Sequence, residues 1–138
     1  MAESRNLKPG DELPPFRGQI SLQQMIRYES WHTERNIHND PEIAREIGLP
    51  TPIPRAVMLS SFIYRMLQNT FGSHWLVRSK LSLNFLKPVN PGETITARGQ
   101  VSEKNENASG HSYVVDVQVE RENKELAAAG KAYLNVGP

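Results

Sequence analysis

Between Trp31 and Met58 the chain reads WHTERNIHNDPEIAREIGLPTPIPRAVM, a stretch that holds two His, three Glu and one Asp. A His and a carboxylate held close together can divide a proton transfer between them, one activating water and the other protonating carbon. Two imidazoles with a carboxylate are also metal-capable donors, although His32, Glu34, His38 and Asp40 follow no recognised ligand spacing. Pro50, Pro52 and Pro54 make the backbone after them irregular. Polar irregular segments carried on rigid elements are where binding and catalytic groups concentrate.

What must hold this stretch is bounded by the whole chain. Its 138 residues suit a single domain, 1–138, with 1–11 expected to be loosely held. Charged residues are 22% and the net charge is +1, so neither nucleic acid nor an anionic membrane surface is the expected partner. Cysteine is absent, which excludes disulfides, thiolate nucleophiles and Cys-based zinc sites. The N-terminal residues lack the apolar core of a secretory signal, and no apolar run approaches a membrane span. The expectation is a cytoplasmic protein.

Several elements lead to the polar stretch and away from it. Phe16–Ile20 reads as a short strand. Ser21 followed by Gln24 is a capping box, after which Leu22, Met25 and Ile26 recur at helical spacing. Asp40-Pro41-Glu42 is a second helix start, Ile43, Ala44 and Ile47 are its apolar stripe, and Gly48 is its left-handed end. Apolar residues from Arg55 to Phe71 cover most of a helical circumference, which predicts a helix wrapped on nearly every side. Leu81, Leu83 and Phe85 then alternate with polar residues, as do Ile95 to Val101, Tyr113 to Val119 and Leu126 to Val136. Turns at Pro88–Gly92 and Glu122–Lys124 and a polar loop at Asn105–Gly110 join these strands into an expected antiparallel meander. The small residues Ala127 to Gly130 predict a close approach of the helix to the sheet. A long helix beside an antiparallel sheet is an α+β domain.

The order of elements and three motifs resemble the MaoC-like branch of the hot-dog fold, the R-specific enoyl-CoA hydratases and related acyl dehydratases, from about Phe16 to Val136. NFLKPVNPGETITARG matches the family's aromatic and K/R-P-V-x-P-G-D/E-T signature. WHTERNIHNDPEIAREIGL stands where the family has S-G-D-x-N-P-I-H and a following short helix, and PIPRAVM stands where it has I-A-H-G-M. With His38 as the family's His, an ungapped match puts Thr33 at the Asp and Asn36 at the Pro. With a loop one residue shorter, Glu34, Asn36, Ile37 and His38 match Asp, Asn, Ile and His. Arg55 and Ala56 replace the family's His and Gly.

The resemblance implies an antiparallel sheet wrapped around a central helix and reversible hydration of an enoyl-CoA thioester, a lyase activity. It implies His38 and Glu34 as the catalytic pair and the Ala56 amide as donor to the thioester oxygen, with Thr33, Asn36 and Arg55 around the substrate. It implies no metal and no cofactor, the CoA thioester being the substrate, and a homodimer or dimer of dimers. Plainer readings stand beside these. His38 serves equally as a hydrogen-bond partner that orders the loop. Glu34 can be a solvated carboxylate or pair with Arg35 or Arg55, Asn36 a turn residue, and Arg55 an ion-pair partner or an anchor for a substrate carboxylate or CoA phosphate. Thr33 can position water but cannot act as a base. The altered motif also fits an acyl-binding subunit paired with a catalytic paralogue, and the same fold supports thioester hydrolysis.

Overall fold

The computed structural model of the chain describes residues 6–31, 34–72, 78–108 and 110–136. Strand β1 (Phe16–Gln19) leads into helix α1 (Leu22–Tyr28), helix α2 (Pro41–Glu46) and the long helix α3 (Ala56–Phe71). Strands β2 (Ser79–Phe85), β3 (Thr94–Asn107), β4 (Gly110–Glu120) and β5 (Leu126–Val136) follow. The ladders are antiparallel in the order β1-β3-β4-β5-β2, the α+β hot-dog arrangement of one sheet around one helix.

The helices begin and end where their capping chemistry directs. Ser21 Oγ accepts from the Gln24 amide at 3.0 Å and Gln24 Oε1 accepts from the Ser21 amide at 2.8 Å, so two otherwise unpaired donors are satisfied reciprocally. Asp40 Oδ1 accepts from the amides of Glu42 at 2.9 Å and Ile43 at 3.2 Å, with Pro41 as the first helical residue. Gly48, at φ +91°, lets its own amide and that of Leu49 return to the carbonyls of Arg45 and Ala44, a Schellman closure.

The core lies between α3 and the concave face of the sheet. Leu59, Ile63, Met66 and Leu67 of α3 are buried in one cluster with Ile95, Ala97 and Val101 of β3 and Val115 and Val117 of β4. At Gly99 a Cβ would stand 3.0 Å from Met66 Cε, so the strand is bare where the helix side chain presses on it.

Four expectations are corrected. Helix α3 is buried along one stripe only, and Val57, Ser61, Tyr64, Arg65 and Gln68 are exposed, because a single five-stranded sheet covers one side of a helix. Strand β2 is no neighbour of β3; it crosses to the far edge and pairs with β5, from Ser79 opposite Leu134 to Phe85 opposite Ala128. Alternation at Leu81 and Leu83 fixes which face is buried and leaves the partner open. The link after β2 is a crossover, anchored by buried Val89 and by the Gly92 amide on the Ile20 carbonyl at 2.8 Å. The close approach at Ala127–Gly130 is between strands: a Cβ at Gly130 would lie 1.8 Å from the Ser82 carbonyl oxygen. The polar loop expected at Asn105–Gly110 is also more regular than expected, since β3 runs to Asn107 and β4 starts at Gly110.

The crossover is locked by Glu93. Its two oxygens accept from Arg121 Nε and Nη2, each at 3.1 Å, and from the amides of Asn90 at 2.8 Å and Glu122 at 3.3 Å. Burial opposes the charged form of Glu93, but Arg121 and the two amides outweigh it, and the carboxyl sits below its ordinary value of 4.5. A carboxylate depressed in the folded state contributes stability that is complete above its unfolded value and is lost as pH falls through its folded value. Thermal midpoints measured from pH 6 to about pH 2.5 should therefore fall more steeply in the wild type than in Glu93→Gln, whose midpoint at pH 6 starts lower. Parallel acid limbs would show that Glu93 carries none of this dependence.

Candidate active site

The loop between α1 and α2 is built by its amide side chains. Asn39 Oδ1 accepts from the Asn36 amide at 2.8 Å, and Asn36 Oδ1 accepts from the His38 amide at 2.8 Å. Asn36 Nδ2 and Asn39 Nδ2 both donate to the Glu34 carbonyl, at 3.4 and 3.1 Å. Arg35 bridges Asp40 and Glu42. Its hydrogen bond to Asp40, opposed by burial and aided by the amides of Ile43 and Glu42, holds that carboxyl down to about 2. The helix cap beside the loop thus stays charged across the working pH range.

His38 is half-buried and its Nδ1 lies 2.8 Å from the Ile53 carbonyl oxygen. A carbonyl only accepts, so Nδ1 carries the proton and Nε2 of the neutral ring is left as the basic nitrogen. No protein group among the described residues engages Nε2. The Ile53 amide in turn donates to the Ile37 carbonyl at 3.1 Å, so the His38 segment and the segment entering α3 are strapped together.

Two residues beyond Ile53, Arg55 is the N-cap of α3 and supplies no side-chain cap. The amides of Ala56 and Val57 have no acceptor among the described residues, and Ala56 is exposed. These amides sit at the positive end of a helix of 16 residues and are suited to a developing anion. The Arg55 guanidinium is fixed through Nε by Glu29, whose side chain is 3% exposed. Glu29 closes α1, so the end of α1, the His38 loop and the head of α3 form one braced unit.

The structure brings His38, Asn36, Arg55 and Ala56 into this unit. Glu34 is exposed at its edge, its carboxylate bonded to neither His38 nor Arg55 among the described residues. His32 and Thr33, like His74 and Trp75, lie outside the described residues. The sequence reading missed Glu29 and the Ile53 carbonyl. Glu29 was detectable, because it lies four residues after buried Met25 and so shares the inward face of α1, where a carboxylate needs a partner. Beside the head of α3, Ile20, Tyr28, Val57, Met58, Phe62 and Tyr64 line most of a groove of about 450 Å³. Met58 is thus a groove residue, whereas Met66 is fully in the core.

Residues 14–123 match the family model described as MaoC like domain, and the chain belongs to this family of hydratases and dehydratases. Among solved structures it is similar to the (R)-hydratase of A. caviae involved in PHA biosynthesis, at 20% identity and TM-score 0.79, over 96% of this chain and 98% of that one. It is also similar to the R-hydratase PhaJ1 of Pseudomonas aeruginosa, at 17% identity and TM-score 0.78, over 98% of this chain and 84% of that one. A third likeness is to the ChsH1-ChsH2 complex of Mycobacterium tuberculosis, at 14% identity and TM-score 0.76, over 94% and 98% of the two chains. At these identities the likeness establishes the fold. None of the curated proteins matches the sequence. Among the described residues no helix is long and apolar enough to cross a membrane.

Proposed function

We propose that this protein adds water reversibly across the double bond of an enoyl-CoA thioester, the reading carried above all by the tautomer that Ile53 imposes on His38. Nε2 takes a proton from water as the oxygen bonds to C3. The C2–C3 π electrons move toward the carbonyl, giving an enolate oxygen that the Ala56 amide receives. C2 then takes the proton that His38 accepted on Nε2, so that one water is added and the ring returns to its starting state. The reverse sequence dehydrates a 3-hydroxyacyl thioester. Asn36 shapes the loop through its bond to the His38 amide, the apolar groove at Val57 and Met58 takes the acyl chain, and no cofactor beyond the CoA of the substrate is required.

A homodimer, or a pair with a paralogous hot-dog chain, is part of the proposal. Leu22, Ile26, Tyr28, Val57 and Tyr64 are exposed apolar side chains on α1 and α3, a surface that suits a protein partner. The test is the loss of enoyl-thioester absorbance on adding purified protein to short, long, branched and ring-bearing enoyl-CoA substrates. Turnover of at least one class is expected, and inactivity across all of them would defeat the hydratase reading. The exposed carboxylate of Glu34 favours one second reading, an acyl-binding subunit that borrows catalysis from a paralogue. That reading expects tight acyl-CoA binding without turnover.

A further inference from the structure

Arg55 is an expensive choice at its position. A cation at the N-terminus of a helix opposes the helix dipole, and an Arg cannot accept from the first amides as Ser, Thr, Asp or Asn would. The chain holds it there with Glu29, a carboxylate almost wholly removed from water, although a buried ion pair is a weak source of stability. Both departures from local preference act on one object, the guanidinium at the head of α3. Its Nε edge is taken by Glu29, its side chain is one-third exposed, and its Nη groups have no protein acceptor among the described residues. It stands one residue before the amide that receives the thioester oxygen.

We propose that Arg55 is a catalytic residue of this site, its Nη groups donating to the thioester oxygen as that oxygen becomes an enolate, with Glu29 as the positioning residue that aims it. The inference rests on the thioester reading above and adds to it a donor that the family motif, with His at this place, does not supply. A guanidinium already fixed by a buried carboxylate needs little reorganisation when charge develops, and such preorganised donors act on the transition state more than on the bound substrate. The proton bookkeeping is unchanged, since Arg55 donates hydrogen bonds and transfers no proton.

The probe is a 3-oxoacyl-CoA, whose enolate absorbs in the near ultraviolet, titrated into the full chain alongside the enoyl-CoA assay. The wild type should convert bound ligand to the enolate. Arg55→Gln should lose about a hundredfold in both enolate stabilisation and kcat while KM moves by less than about threefold. Because Arg55→Gln strands Glu29, the double variant Glu29→Gln/Arg55→Gln and the charge-keeping Arg55→Lys accompany it. The double variant should match Arg55→Gln, the Lys variant should fall between it and wild type, and added guanidinium ion should partly restore Arg55→Ala. A wild-type band in the folded double variant, or no band in the wild type, overturns the role of Arg55. An Arg55-dependent band without turnover of any enoyl-CoA supports it while rejecting the hydratase reading.

Discussion

His38→Ala should lower enoyl-CoA turnover by about a hundredfold to ten-thousandfold, the usual span for removing a positioned acid–base group. The cost in stability should be small. One hydrogen bond, to the half-buried Ile53 carbonyl, is lost, and an intramolecular hydrogen bond is worth about 1 kcal/mol net. The thermal midpoint should drop by only about 2–8 °C. His38→Gln separates the two uses of the ring: its amide can still donate toward Ile53 but offers no basic nitrogen, so it should regain stability and stay inactive. Measuring kcat/KM and the midpoint on the same samples decides the matter. Equal losses of activity and folded fraction in both variants would leave His38 as a loop-ordering residue only.

The largest effect on folding is expected at Gly130. An alanine there would place its Cβ 1.8 Å from the Ser82 carbonyl oxygen, 2.9 Å from the carbonyl carbon and 3.0 Å from Leu83 Cα. All three atoms are backbone, so no rotamer change relieves the overlap; β2 must move off β5 or the ladder must bend. We expect a loss of at least about 3 kcal/mol, a large share of the 5–15 kcal/mol that holds a typical domain. Urea titration should show a lower midpoint for Gly130→Ala. Gly18→Ala is the contrast, since its Cβ would meet only the edge of the Phe62 ring at 3.3 Å and a side chain can yield. If both variants lose the same small amount, the β2–β5 approach is not the constraint described.

What the sequence disclosed depended on the range of each interaction. The capping box at Ser21 and the caps at Asp40 and Gly48 involve neighbours a few residues apart, so residue types alone revealed them. The two-residue period of β2 disclosed a strand but not its neighbour, which lies across the sheet in β5. Three features of the site were legible: the loop, His38 and the start of α3. The feature that braces them was not, because Glu29 and Arg55 are separated by the whole loop and α2. The residue-by-residue match of Glu34 or Thr33 to an acid likewise turns on loop length, which periodicity does not report.

The sheet order carries a consequence for synthesis of the chain. Phe16 of β1 pairs with Ala97, and Ser79 of β2 pairs with Leu134. Both edge strands therefore leave the ribosome long before the strands that hold them. Until β5 is made, α3 has only part of the sheet to cover its apolar stripe, and β2 has no ladder at all. Pairings this distant in sequence close slowly and leave sticky surface uncovered meanwhile. Loss of the end of β5 would therefore do more than fray one strand, since it would also release β2, made well before it.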